Sequence, residues 1–361
     1  MRRGDERLSP RRVQLRSGGQ AAGPVPFLLA RAILAVMNSA PHLTRLILAM
    51  MMTTLVPDAL AAVATTEPAG DTVALWPAGA PGSERVKARE AFVERSPDGP
   101  VRDRYAEHIT RPTLTFFRPR SAANGITLLI VPGGGYERVV IDKEGFESAE
   151  WFTQRGFECA VLRYRLPADG WAAGADVPIH DIQRAVRLLR SRRAGNPPAS
   201  ADARVGVIGF SAGGHAVARY ITQPTLGYPR VDSIDDAPAG VDFAVLMYPV
   251  IATTGTPAHA GSARQLLASG VDAAALASYS PHMSIDPHTP PTLLVHAADE
   301  AAVPVENSLL MFDALRKAGI RSELHVFDRG GHGFGMRAID GLDVSAWPML
   351  VENWASNRAP P

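Results

Sequence analysis

A single cysteine, Cys159, in 361 residues excludes an intramolecular disulfide framework and any cysteine-rich zinc or iron–sulfur site. An excess of charge is also missing. The chain has 37 Lys and Arg against 36 Asp and Glu, a net +1, and so gives no electrostatic reason to bind nucleic acid or another polyanion. No apolar run is long enough to span a bilayer stably. Internal repeats, heptads and low-complexity tracts are absent. Metal-ligand spacings and cofactor boxes are absent too, so neither a metal nor an organic cofactor is expected. What is plentiful is glycine and proline, 32 and 30 residues, more than a helical bundle carries, which points to a loop-rich fold.

The near-neutral average conceals two regions. Residues 1–61 hold eight arginines and three acids, leaving 29 basic and 33 acidic side chains in residues 62–361. From Met37 the text has the layout of a secretory signal peptide: Arg45 as the positive region, an apolar run over 46–56, and Ala59-Leu60-Ala61 as a small-x-small cleavage site. The expected organisation is an upstream extension over 1–36, a signal peptide over 37–61 cut near Ala61, and one domain over 62–361 with its core at about 72–357. The protein is then secreted or periplasmic, with no stable membrane insertion after signal removal. An uncleaved anchor or a disordered basic tail is the alternative reading of the same stretch.

Beyond residue 70, β-branched apolar runs at 114–117, 126–131, 159–164, 205–210, 243–248, 292–296 and 323–327 read as strands. Helical spacing lies between and after them, at 146–156, 181–193, 212–221, 305–317 and 347–355. In 181–193, Ile182, Ala185, Val186 and Leu189 share one face and several arginines the other. Strand–helix alternation implies an α/β fold, a mostly parallel central sheet with helices on both faces. The stretch 75–112 shows no clean periodicity. Nor do 223–240 and 251–291, which are expected to pass over the mouth of a site, since such loops leave the carboxyl ends of parallel strands.

The apolar run ending at Phe210 enters Gly209-Phe210-Ser211-Ala212-Gly213, followed at once by a helical segment. This is G-x-S-x-G in a strand–turn–helix context, where a serine becomes a nucleophile at a helix N-terminus. A serine nucleophile needs a base, and the base needs an orienting acid. His332, in Gly330-Gly331-His332-Gly333, is the histidine with small neighbours in a loop after the last strand, and His215 is expected to pack or cap instead. The acid belongs after the strand ending at His296, where Asp299 and Glu300 both preserve the order Ser, acid, His. Gly133-Gly134-Gly135 follow another apolar run and suit an oxyanion hole together with the Ala212 N–H. With no Lys-Ser/Thr after it and no G-x-G-x-x-G, that loop does not read as a nucleotide cradle. Tyr136, Trp151 and Trp171 are candidates to line a sugar site, Tyr136 first, with core packing as the competing reading. Cys159 falls in a buried strand and reads as inert packing.

Taken together, PGGGY (132–136), Ile141-Asp142-Lys143-Glu144-Gly145, GFSAGGH (209–215), PPTLLVHAADE (290–300), VPVENS (303–308) and ELHVFDRGGHGFG (323–335) resemble the α/β-hydrolase fold. Within it, the chain is most similar to bacterial acetylxylan-esterase-like carbohydrate esterases and their lipase/esterase relatives. Esterases of the hormone-sensitive-lipase type carry His-Gly-Gly-Gly, and Pro132 in place of that histidine favours the carbohydrate-esterase side. The resemblance implies Ser211 as nucleophile, His332 as base and the 133–135 loop with Ala212 as oxyanion hole. Counting back from Val303-Pro304 puts the acid at Glu300, with Asp299 still open. The implied activity is removal of short acyl groups, acetyl in first place, from plant polysaccharide or its oligosaccharides. A peptidase or lipase on the same fold, or a non-catalytic carbohydrate binder, are the alternatives.

Overall fold

The structure is a computed structural model that describes residues 71–194, 203–223, 227–337 and 339–357. The leader expected over 37–61 and the extension before it lie outside the described residues. Among the described residues no helix is long and apolar enough to cross a membrane.

Among the described residues, eleven strands and six α-helices occur in the order β1 (Asp71–Ala74), β2 (Ala91–Glu94), β3 (Arg104–Glu107), β4 (Thr113–Phe117), β5 (Ile126–Val131), β6 (Val139–Val140), α1 (Glu147–Thr153), β7 (Glu158–Arg163), α2 (Val177–Ala194), β8 (Arg204–Phe210), α3 (Ser211–Thr222), β9 (Phe243–Met247), α4 (Ala260–Ala268), β10 (Thr292–Ala297), α5 (Glu306–Lys317), β11 (Ser322–Phe327) and α6 (Trp347–Ser356). Eight form one sheet in the order β1-β4-β7-β5-β8-β9-β10-β11. All neighbours from β7 to β11 run parallel, and β1 and β4 are added antiparallel at one edge. This is the α/β-hydrolase fold. β5, β8, β9 and β10 read as near-continuous apolar runs because both faces of the sheet are covered; each is buried along its length, save Arg204 at the start of β8.

The strands and helices expected from periodicity are present with ends shifted by a few residues. Three features differ from expectation. First, 75–112 is not featureless: β2 and β3 pair antiparallel, and β6 extends them into a second, three-stranded sheet. β2 and β3 are short and partly exposed and β6 has only two residues, so they carry no hydrophobic alternation. Their aromatic residues are capped by cations instead, Tyr105 by Arg95 and Arg138, and Phe92 by Arg163. Second, the arginine face of α2 is not all solvated. Arg184 is fully buried and pairs with Asp232 and Asp235 of a 3₁₀ turn at Ser233–Asp236 and its cap. That pairing holds the Ser233–Asp236 turn against α2 rather than over the site. Third, α1 is preceded by a π-helical turn, Ile141–Phe146, a geometry that apolar spacing does not signal and that recurs at functional sites.

Candidate active site

The carboxyl ends of β5, β8 and β10, and the loop after β11, converge on one cleft of about 550 Å³. Ser211 opens α3 directly after β8 with φ +51°, a left-handed conformation costly for a residue with a Cβ. The flanking glycines permit it. A Cβ on Gly209 would stand 2.7 Å from the Gly213 carbonyl oxygen, and one on Gly213 would stand 2.3 Å from that of Pro132.

Ser211 Oγ lies 3.0 Å from His332 Nε2, and His332 Nδ1 lies 2.5 Å from Glu300 Oε2. With Nδ1–H donating to the carboxylate, Nε2 is left to accept from the serine hydroxyl. Glu300 Oε1 accepts from the Ala302 and Val303 N–H groups at 2.7 and 3.0 Å. Burial works to raise the Glu300 carboxyl, but the hydrogen bond and charge of His332 and these two amides outweigh it and hold it below its ordinary value. Asp299, the other expected acid, faces elsewhere. Its Oδ1 accepts from Gly330 and Gly331 N–H at 3.0 and 2.8 Å, bracing the loop that carries His332.

The glycine loop is more divided than expected. Gly133 N–H donates to Glu144 Oε2 at 2.7 Å, so it is not available to a ligand, and Gly133 is removed from the expected oxyanion donors. Gly134 and Gly135 line the cleft, and Ala212 stands in the first turn of α3, where N–H groups lack helical partners. Tyr136 does not line the cleft. It is 2% exposed and its hydroxyl bonds His215 Nδ1 at 2.7 Å, while His215 Nε2–H donates to the Tyr279 carbonyl. Trp171 is likewise buried, Trp151 packs on Phe152 beneath Arg155, and Cys159 is buried in β7.

Several residues of the site carried no role in the sequence reading. The π-helical turn aims three successive charged side chains three ways: Asp142 to Arg104, Lys143 into the cleft, and Glu144 to the cleft floor. Glu144 is buried and bridges two loops. Besides Gly133 it accepts from the Tyr248 hydroxyl at 3.0 Å, which in turn accepts from Gly335 N–H beyond His332. Tyr248 also packs edge-on to the His332 ring, at 5.3 Å. His259 and Arg264, from the start of α4, form a wall of the cleft, so part of 251–291 does border the mouth as expected. His259 Nδ1 accepts from Ser262 N–H, and burial, then the charges of His332 and Arg264, hold it below its ordinary range against Glu137 and Glu300. Of these, Asp142, Lys143 and Glu144 lay within the motif 141–145, which gave none of them a role.

The BD-FAE family model matches residues 114–315. The chain is 29% identical over 227 residues to an acetylxylan esterase of Xylanibacter ruminicola, covering 62% of this chain and 43% of that protein. It is 35% identical over 210 residues to endo-1,4-β-xylanase B of Butyrivibrio fibrisolvens, covering 57% and 32%. The chain thus spans less than half the length of these curated relatives. Among solved structures it is similar to the acetyl ester-xyloside bifunctional hydrolase of Caldicellulosiruptor lactoaceticus, with TM-score 0.59, 29% identity, and 81% and 97% of the two chains covered. An esterase of Thermogutta terrifontis shares the fold at TM-score 0.53 and 23% identity, over 68% of this chain and 88% of the other.

Proposed function

Because the chain belongs to the BD-FAE family, we propose that it is a serine esterase that removes short acyl groups, acetyl in first place, from carbohydrate. The observation that carries this reading is the hydrogen-bonded line Ser211–His332–Glu300 on a strained turn in an open cleft. Likeness to an acetylxylan esterase and to a xylanase supports a polysaccharide or oligosaccharide substrate.

The hydrogen-bonded line supports the following steps. Ser211 Oγ attacks the ester carbonyl while His332 Nε2 takes its proton, and Glu300 holds the imidazole by Nδ1–H and stabilises its positive charge. The N–H groups of Gly134, Gly135 and Ala212 are the donors for the oxyanion, each worth about 2.7–4 kcal/mol where such donors have been removed from other enzymes. His332 then protonates the leaving sugar oxygen. Water, deprotonated by the same nitrogen, attacks the acyl-enzyme and releases the acid and free Ser211.

The reading includes export, with residues 37–61 as signal peptide; intact mass of the secreted protein checks it, a start near residue 62 being expected. The decisive experiment is acetate release from acetylated xylan, with a p-nitrophenyl ester series for chain length. Short esters should be preferred, and Ser211→Ala should lose at least about 10³-fold in kcat with an unchanged melting curve. Retention of most activity by Ser211→Ala would end the proposal.

A further inference from the structure

The cleft is positively charged although the chain from residue 62 onward carries more acids than bases, 33 against 29. Four cations line it: Arg95, Arg138, Lys143 and Arg264. Two are compensated. Arg95 pairs with Asp103 at 2.6 Å and Arg138 with Glu137 at 2.9 Å, and both stack on Tyr105. The remaining lining acid, Glu144, is turned to Gly133 and Tyr248. Lys143 and Arg264 have no ion-pair partner among the described residues.

Their placement is specific. Lys143 is half-buried, and its Nζ lies 3.6 Å from where a Cβ on Gly333 would stand, one residue from His332. Arg264 is exposed and rises from α4, alongside His259. A half-buried ammonium with no counter-ion loses hydration without recovering it. An anion delivered with the substrate restores that loss, and low-dielectric cleft walls strengthen the attraction. An acetyl group is small and neutral, so the anion belongs to the larger part of the ester, which extends toward the rim.

We propose that Lys143 and Arg264 bind a carboxylate on the sugar side of the substrate, so that the preferred substrate is an acylated oligosaccharide bearing a uronic acid residue. This names the substrate class of the esterase proposed above and rests on that reading. Lys143 and Arg264 are specificity residues that touch the sugar and leave the bond-breaking steps to Ser211 and His332.

The test compares acetylated xylo-oligosaccharides with and without a glucuronic acid branch, by acetate release. The wild-type enzyme should favour the acidic substrate by about tenfold in kcat/KM, through KM. About 0.5 M NaCl should erase most of that preference, which needs no variant and no folding control. Lys143→Met and Arg264→Gln should each bring the acidic-to-neutral ratio toward one, and Lys143→Arg should retain it. Equal rates on both substrates, or a preference indifferent to salt, would overturn the inference while leaving the esterase reading intact. A preference for an anionic acyl group, read with p-nitrophenyl hemisuccinate against p-nitrophenyl acetate, would overturn the assignment to the sugar side. Hydrolysis of none of these esters would remove the esterase reading and the inference with it.

Discussion

Two adjacent carboxylates, Asp299 and Glu300, take different tasks because one peptide step turns them to different partners. Glu300 reaches the His332 ring, while Asp299 reaches the backbone N–H groups of Gly330 and Gly331 just before it. The expected kinetics differ accordingly. Glu300→Gln replaces an ionised acceptor that orients and charges the imidazole, and should cost about 10³- to 10⁴-fold in kcat. Asp299→Ala removes an anchor of the loop and should cost about tenfold, while Asp299→Asn keeps an acceptor oxygen and should recover most of it. Steady-state kinetics on p-nitrophenyl acetate read both; equal losses at the two positions would contradict the division. The sequence left this choice open for a physical reason. Both side chains preserve the chain order, and only the rotation of the loop after β10 decides which one faces the histidine. For Tyr136 the core reading holds over the sugar-site one, because its hydroxyl finds a buried histidine.

Elements show a sharper boundary between what was legible and what was not. The strand–turn–helix around Ser211 is written in the residues themselves, since apolar β8 and the glycines of the elbow admit few other conformations. The small sheet and the π-helical turn are not, because neither has a hydrophobic period. Yet the turn supplies Glu144, which ties the glycine loop to Tyr248. Glu144→Ala should lower kcat by about tenfold or more and change KM for p-nitrophenyl acetate little, because the loss is in holding the glycine loop rather than in binding the ester. Glu144→Gln, which keeps an acceptor for Gly133 N–H, should retain more of the rate. A change confined to KM, or a loss explained by a collapsed melting temperature, would show Glu144 to be a packing residue instead.

For the whole molecule, burial of titratable groups sets the response to acid. His215 is fully buried, and burial, then the charge of Arg219, lowers it from the ordinary 6.5 to about 3, despite the opposing hydrogen bond to Tyr279. The unfolded chain takes up this proton near 6.5 and the native one does not until about 3, so stability falls as pH drops through that window. The slope is on the order of 1 kcal/mol per pH unit for this one group. His180, His259, His282 and His296, all lowered by burial, act in the same direction. Urea unfolding at pH 7 and pH 5 should show the loss, and His215→Gln, which can keep both hydrogen bonds, should flatten it. An unaltered slope in that variant would assign the acid sensitivity to other groups.

The bridge through Glu144 also bears on when the site comes into being. Gly133 is reached through Glu144, Tyr248 and Gly335, and the Gly335 carbonyl accepts from Trp347 Nε1 at 2.8 Å. Ser211 is 121 residues ahead of His332 in the chain. A chain folded only as far as α3 therefore holds Ser211 without His332 and without the Tyr248–Gly335 brace on the glycine loop. The stretch from His332 to Trp347 completes the arrangement, which exists only once that stretch has packed back against the earlier strands.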